Sequence, residues 1–186
     1  MSLVELIAQA DERGLAVSGL ACLDRCVPLL DGDDEVLRPL WSSLAENAGT
    51  GDWAQRLEEA RGKLDGAAGD EAAALAHRML AAAPAGRSAA ELRVWADACS
   101  AAALRVHRLL DGAAAAEDGE DSVDACREGR TEGMSPLVAA ELRRQVAVLE
   151  LLSAHGPAGL RGALEVSTEG RRVLRAALSR RSRRND

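Results

Sequence analysis

The chain has 186 residues, 47% of them apolar and 28% charged, with a net charge of −7. That length suits one domain, or one domain with a small appendage, and the apolar content is enough to build a core rather than a disordered chain. Tyr and Phe are absent and Lys63 is the only lysine beside 22 arginines, which removes phenolic acids, most stacking platforms for single strands and nearly every Schiff-base amine.

The apolar residues are mainly Ala, Leu and Val, and the charged ones mainly Arg and Glu. Most of these favour helices, while the strand-forming aromatic and β-branched residues are sparse. The fold class expected is all-α: a helical bundle or irregular helical array of about 7–9 helices, without a sheet.

In chain order, Leu3, Val4, Ile7 and Ala8 share a helical face, with Gly14 expected to end that helix. A second helix is predicted from Leu15 to Val27, striped by Leu20, Leu23, Val27 and Leu30 and stopped by Pro28. Asp31 to Glu35 reads as a turn and N-cap. Val36, Leu37, Leu40, Trp41 and Leu44 form the next apolar face. Asp52 can open a helix that turns Trp53, Leu57, Ala60 and Leu64 inward. An alanine-rich helix is predicted over 70–83. Ser88 and Glu91 form an S-x-x-E capping box, opening the longest stripe: Leu92, Trp95, Cys99, Ala102, Val106 and Leu109. Ser135 then caps a helix with Pro136 at its first position, striped by Val138, Leu142, Val146, Leu149 and Leu152 and stopped by Gly156-Pro157.

These elements suggest an N-terminal helical body over 1–110, an acidic, glycine-rich linker over 111–134 and a C-terminal helical segment over 135–186. The expected main core is Leu20, Leu23, Leu37, Leu40, Trp41, Trp53, Leu57, Leu92, Trp95, Cys99 and Val106. Charge is uneven along the chain. Residues 1–50 carry nine acids against three bases, and residues 151–186 carry three acids against eight bases. Such asymmetry fits either an anionic partner for the basic end or mutual attraction of the two ends within the fold.

Few residues form a chemical constellation. Cys22 and Cys26 share a helical face but lack a second ligand pair for zinc, and read as small buried hydrophobes. His77, His107 and His155 are scattered and read as surface or capping histidines, although Asp111, one turn from His107, could orient its ring. Asp118 to Asp124 alternates oxygen ligands but lacks the glycine and the glutamate of a calcium loop. No nucleophile elbow or phosphate-binding glycine loop occurs. No catalytic, cofactor-binding or metal-ligating residue is therefore assigned, and no cofactor is expected.

The C-terminal residues carry the most specific pattern. A helix with Leu149 to Leu152 is followed by the turn His155-Gly-Pro-Ala and a short helix with Leu160 and Leu164. Ser167-Thr168 then opens an arginine-rich helix. Over residues 137–184 this order resembles a helix-turn-helix of the winged-helix regulator kind, without sequence for the wing strands. The resemblance implies base contacts by Thr168, Arg171, Arg172 and Arg175, with Arg180 and Arg181 on phosphates.

Three functions are compatible with these features. The first is a non-catalytic helical interaction or scaffold protein, with a protein partner or self-association and an exposed apolar patch. The second is a DNA-binding transcriptional regulator using residues 137–184. The third is a metal-dependent helical-bundle enzyme. No run of about 18 apolar residues and no signal-like N-terminus is seen, so no transmembrane segment is expected and the cytoplasm is the expected location.

Overall fold

Every residue from Gly14 to Val27 is buried, so this segment has no polar face to turn to water. A helix buried on all sides belongs in the centre of a fold, and that is where it lies. In a computed structural model that describes residues 1–46, 49–67, 69–112 and 119–186 (side chains of 50 and 119–121 excepted), this helix is α2, Glu12–Arg25. The short α1, Leu3–Gln9, precedes it. The break between them falls at Ala10-Asp11, ahead of the expected Gly14, because the Asp11 carboxylate accepts the Gly14 N–H at 2.7 Å and caps α2.

After α2, Val27–Leu30 forms a 3-10 turn that ends at Asp31, whose φ of 53° places it in the left-handed region. Then follow α3 (Arg38–Ala45), α4 (Thr50–Lys63), α5 (Glu71–Ala81) and α6 (Ala89–Asp111). The remaining helices are α7 (Gly119–Arg127), α8 (Pro136–His155) and, after a 3-10 turn at Gly156–Gly159, α9 (Leu160–Asn185). Among the described residues there are only helices and turns, so the all-α fold stands. None of these helices is long and apolar enough to cross a membrane.

Local signals set most helix starts. Ser88 Oγ accepts the Glu91 N–H, and Ser135 Oγ accepts the Val138 N–H. α2 packs against α6, α8 and α9 together, with α5 behind α6 and α1 lying across α6 and α8. All eleven residues expected in the main core are buried. One apolar cluster runs from Leu3 to Leu174 and takes side chains from both sides of the 111–134 segment. Within that segment, expected to be a linker, α7 is helical and packs on α6. Of the stretch Asp118 to Asp124, residue 118 and the side chains of 119–121 lie outside the described residues, and the rest belongs to α7.

The largest departure from the predicted elements is at the C-terminus. α9 is one helix through Ser167 and Thr168, not a short helix, a turn and a second helix. The two hydroxyls do not cap a new helix. Ser167 Oγ donates to the Ala163 carbonyl at 3.0 Å, and Thr168 Oγ1 donates to that of Leu164 at 2.9 Å. Both are satisfied by the preceding turn, as serine and threonine inside helices commonly are.

Candidate functional site: a buried charge network and an arginine-lined cleft

Asp24 and Arg25 are adjacent, opposite in charge and buried at the end of α2. Each grips a different C-terminal helix. Arg25 donates from Nε and Nη2 to the two carboxylate oxygens of Glu141 on α8, at 2.9 and 2.7 Å. Asp24 accepts both short bonds of Arg171 Nη1 from α9, at 2.7 and 2.6 Å. Charged groups are almost never fully buried unless paired, so these two pairs account for each other's burial.

The Glu141 pair extends into a chain of hydrogen bonds. Gln145 Nε2 donates to Glu141 Oε1 at 2.9 Å and to the Ser100 carbonyl at 3.2 Å, while Ser100 Oγ donates to Gln145 Oε1 at 2.6 Å. Arg127 Nε donates to Ser100 Oγ at 3.1 Å, and its Nη2 bonds Asp97. α7 is thereby tied through α6 and α8 to α2. On the other side, His107 Nδ1–H donates to the Ala103 carbonyl at 2.7 Å, which fixes the ring and leaves Nε2 at 3.5 Å from Glu141 Oε2. His107 is fully buried, not the surface histidine expected, and its neighbour is Glu141, not Asp111. His77 is half-buried and His155 exposed.

All four cysteines are free and buried. Burial pushes the Cys22 thiol up to about 12, and raises Cys26 and Cys99 as well, so none is poised as a nucleophile. Among the described residues no three His, Cys, Asp or Glu converge as metal ligands would.

Protonation links the network to stability. Burial is the largest influence on Glu141 and opposes its ionisation. The Arg25 charge, then His107 and the hydrogen bonds from Arg25 and Gln145, outweigh it and hold the carboxyl down at about 2, against an ordinary 4.5. Burial lowers His107 below its ordinary 6.5, and burial raises Asp24 to about 6 despite Arg171. As pH falls through about 6.5 the unfolded chain gains a proton at His107, which lowers stability, while from about 6 to 3.8 the folded chain gains one at Asp24, which raises it, so the two effects oppose each other. Below about 4.5 the unfolded chain protonates Glu141 and the folded chain does not, so the stabilisation it contributes, roughly 3 kcal/mol, is lost as pH falls toward 2. Urea midpoints are expected to fall steeply below about pH 4.5, with Glu141→Gln flattening that limb. An unchanged lower limb in that variant would assign the loss to surface carboxylates.

The residues predicted to contact a nucleic acid divide into two groups. Arg171 is buried on Asp24, Arg175 is bidentate with Asp34 at 2.6 and 3.2 Å, and Arg181 lies 3.3 Å from Asp70. Thr168 is bonded to its own helix. Arg172 and Arg180 are exposed, without a hydrogen bond or ion pair among the described residues. Asp24, Asp34 and Asp70 all belong to the N-terminal body, so much of the basic end is matched to it within the fold.

No family model matches the chain, and neither curated proteins nor solved structures show a significant similarity to it.

Sequence reasoning missed Arg25, Glu141, Gln145 and His107 as a group. A signal was present: Glu141 and Gln145 fall three and seven residues after Val138, on the face that buries Val148, Leu149 and Leu152. Polar residues at inward positions of an amphipathic helix imply partners on a neighbouring helix.

Proposed function

We propose that the chain is a non-catalytic helical interaction protein. One observation carries this reading: the buried charged groups are consumed in holding helices together. Glu141, His107, Arg25 and Asp24 bond one another or neighbouring helices. Together with Cys22, Cys26 and Cys99 they lie in the core, and none of them lines a described surface cleft, whereas Cys126 lines the one between α6, α7 and the start of α8. An enzyme needs such groups within reach of a substrate.

The surface favours a polar partner. Large apolar side chains exposed among the described residues are Met1, Val4 and Val94, far less than the apolar patch an obligate self-associating surface presents. Exposed arginines on α9, including Arg172, Arg180 and Arg183, concentrate positive charge on one helix. Capture from cross-linked native cells is expected to recover one stoichiometric partner, and the R172E/R180E/R183E chain is expected to lose it while keeping its helical circular dichroism. A chain recovered alone in both forms would overturn the reading.

The DNA-binding alternative draws support from Arg172 and Arg180 but has Arg171, Arg175 and Arg181 already paired. Retardation of short duplexes that weakens steeply with salt would favour it over a protein partner.

A further inference from the structure

A cleft of about 360 Å³ opens where the end of α6, the start of α8 and the second half of α9 meet. Its volume is at the lower end of small-molecule sites, about 300–1,000 Å³. Its buried wall is aliphatic, including Leu110 and Ala177, and among the described residues its charged side chains are Arg144, Arg180 and Arg184 against a single acid, Asp111. Three guanidiniums against one carboxylate leave the cleft with a net charge of +2 on a chain whose net charge is −7.

These arginines differ from their neighbours. Arg171, Arg175 and Arg181, on α9, are each paired with an aspartate. Arg144, Arg180 and Arg184 form no ion pair among the described residues, and Arg144 Nη1, like Arg171 Nε and Arg181 Nη1, is buried without a hydrogen-bond acceptor. A buried guanidinium N–H lacking an acceptor is a standing cost that an incoming anion removes. Arg184 is held over the α6 terminus, its Nη2 3.1 Å from where a side chain on Gly112 would begin. The φ of 68° at Gly112 keeps that position to glycine. The end of α6 and the start of α8 face the cleft with opposite dipoles, so the arginines set its sign.

We propose that this cleft binds a small phosphate monoester with an apolar body. The dianionic head matches the +2 charge and the forked guanidinium geometry. The alkyl part covers the aliphatic wall. This goes beyond the interaction reading and does not depend on it.

Calorimetric titration of the full chain with n-hexyl phosphate tests the idea. Saturable binding at one site per chain is expected, with inorganic phosphate alone and hexanol alone each at least about tenfold weaker. Arg144→Gln and Arg184→Gln should each weaken binding by about tenfold or more, and Ala140→Leu, which fills the half-buried wall, should block it. Arg180→Gln, at an exposed position, gives a variant whose fold is not in question and should weaken binding too. No saturation at millimolar ligand, binding by the arginine variants equal to the parent, or phosphate binding as tightly as its hexyl ester would each overturn the proposal. So would duplex DNA binding through these arginines while hexyl phosphate stays silent.

Discussion

Glu141→Leu is expected to destabilise the fold by about 3–5 kcal/mol, because it strands the Arg25 guanidinium as an unpaired buried charge. Arg25 and Glu141 are both fully buried and joined by two short hydrogen bonds. Gly170 packs against the Arg25 stem so closely that an added Cβ would lie 2.3 Å from its Cδ, which leaves the side chain no room to swing toward water. Against a typical domain stability of about 5–15 kcal/mol, such a loss brings the variant near unfolding at 37 °C. The double variant Arg25→Met, Glu141→Leu should recover most of the loss, since it removes both charges and keeps the volume apolar. Urea denaturation of the two variants measures the difference. A single variant within about 1 kcal/mol of the parent would mean that water reaches Arg25.

The second large effect concerns Trp95. Its indole N–H donates to the Met79 carbonyl at 2.9 Å, and its ring meets Trp53 edge-on at 6.3 Å between centroids and 71° between planes. Trp53 is itself buried, with its N–H on the Pro84 carbonyl at 2.9 Å. Trp95→Ala is expected to cost about 3–5 kcal/mol, from lost burial, the cavity left behind and a Met79 carbonyl left without its donor. The opposite error is made at Gly19 on α2, where an added Cβ would lie 2.6 Å from Trp95 Cε3 and Cζ3. The ring cannot retreat, held by Met79 and backed by Trp53. Gly19→Ala should therefore cost about 1–3 kcal/mol by overpacking. Combining it with Trp95→Leu should cost less than the sum of the two single variants, because the methyl then enters space the ring vacated. Additive thermal denaturation shifts would place the two residues out of contact.

The two predictions differ in how visible their residues are in the sequence. Trp95 lies on a stripe with Leu92 and Cys99 whose spacing marks an inward face, and a tryptophan there has few other places to go. Glu141 also lies on an inward face, but the spacing of the apolar residues around it centres the expected stripe on Leu142 and Val146. Those two are only partly buried. The true face is turned by about one position, toward Glu141 and Gln145. Hydrophobic periodicity locates a face by its apolar members, and here polar residues occupy its centre because they have partners on other helices.

Local chemistry in the chain determined the all-α class, the caps at Ser88 and Ser135, the start of α8 at Pro136 and the burial of all three tryptophans' helical faces. Each of these depends on residues within about one or two helical turns of one another. The tertiary structure alone decided that Arg25 meets Glu141 across 116 positions and that Asp24 meets Arg171 across 147. It also decided that α9 continues through Ser167, and that Arg171, Arg175 and Arg181 face aspartates while Arg144, Arg180 and Arg184 surround a cleft. A charge has no periodicity of its own, and its partner is set by which helices the apolar core brings side by side.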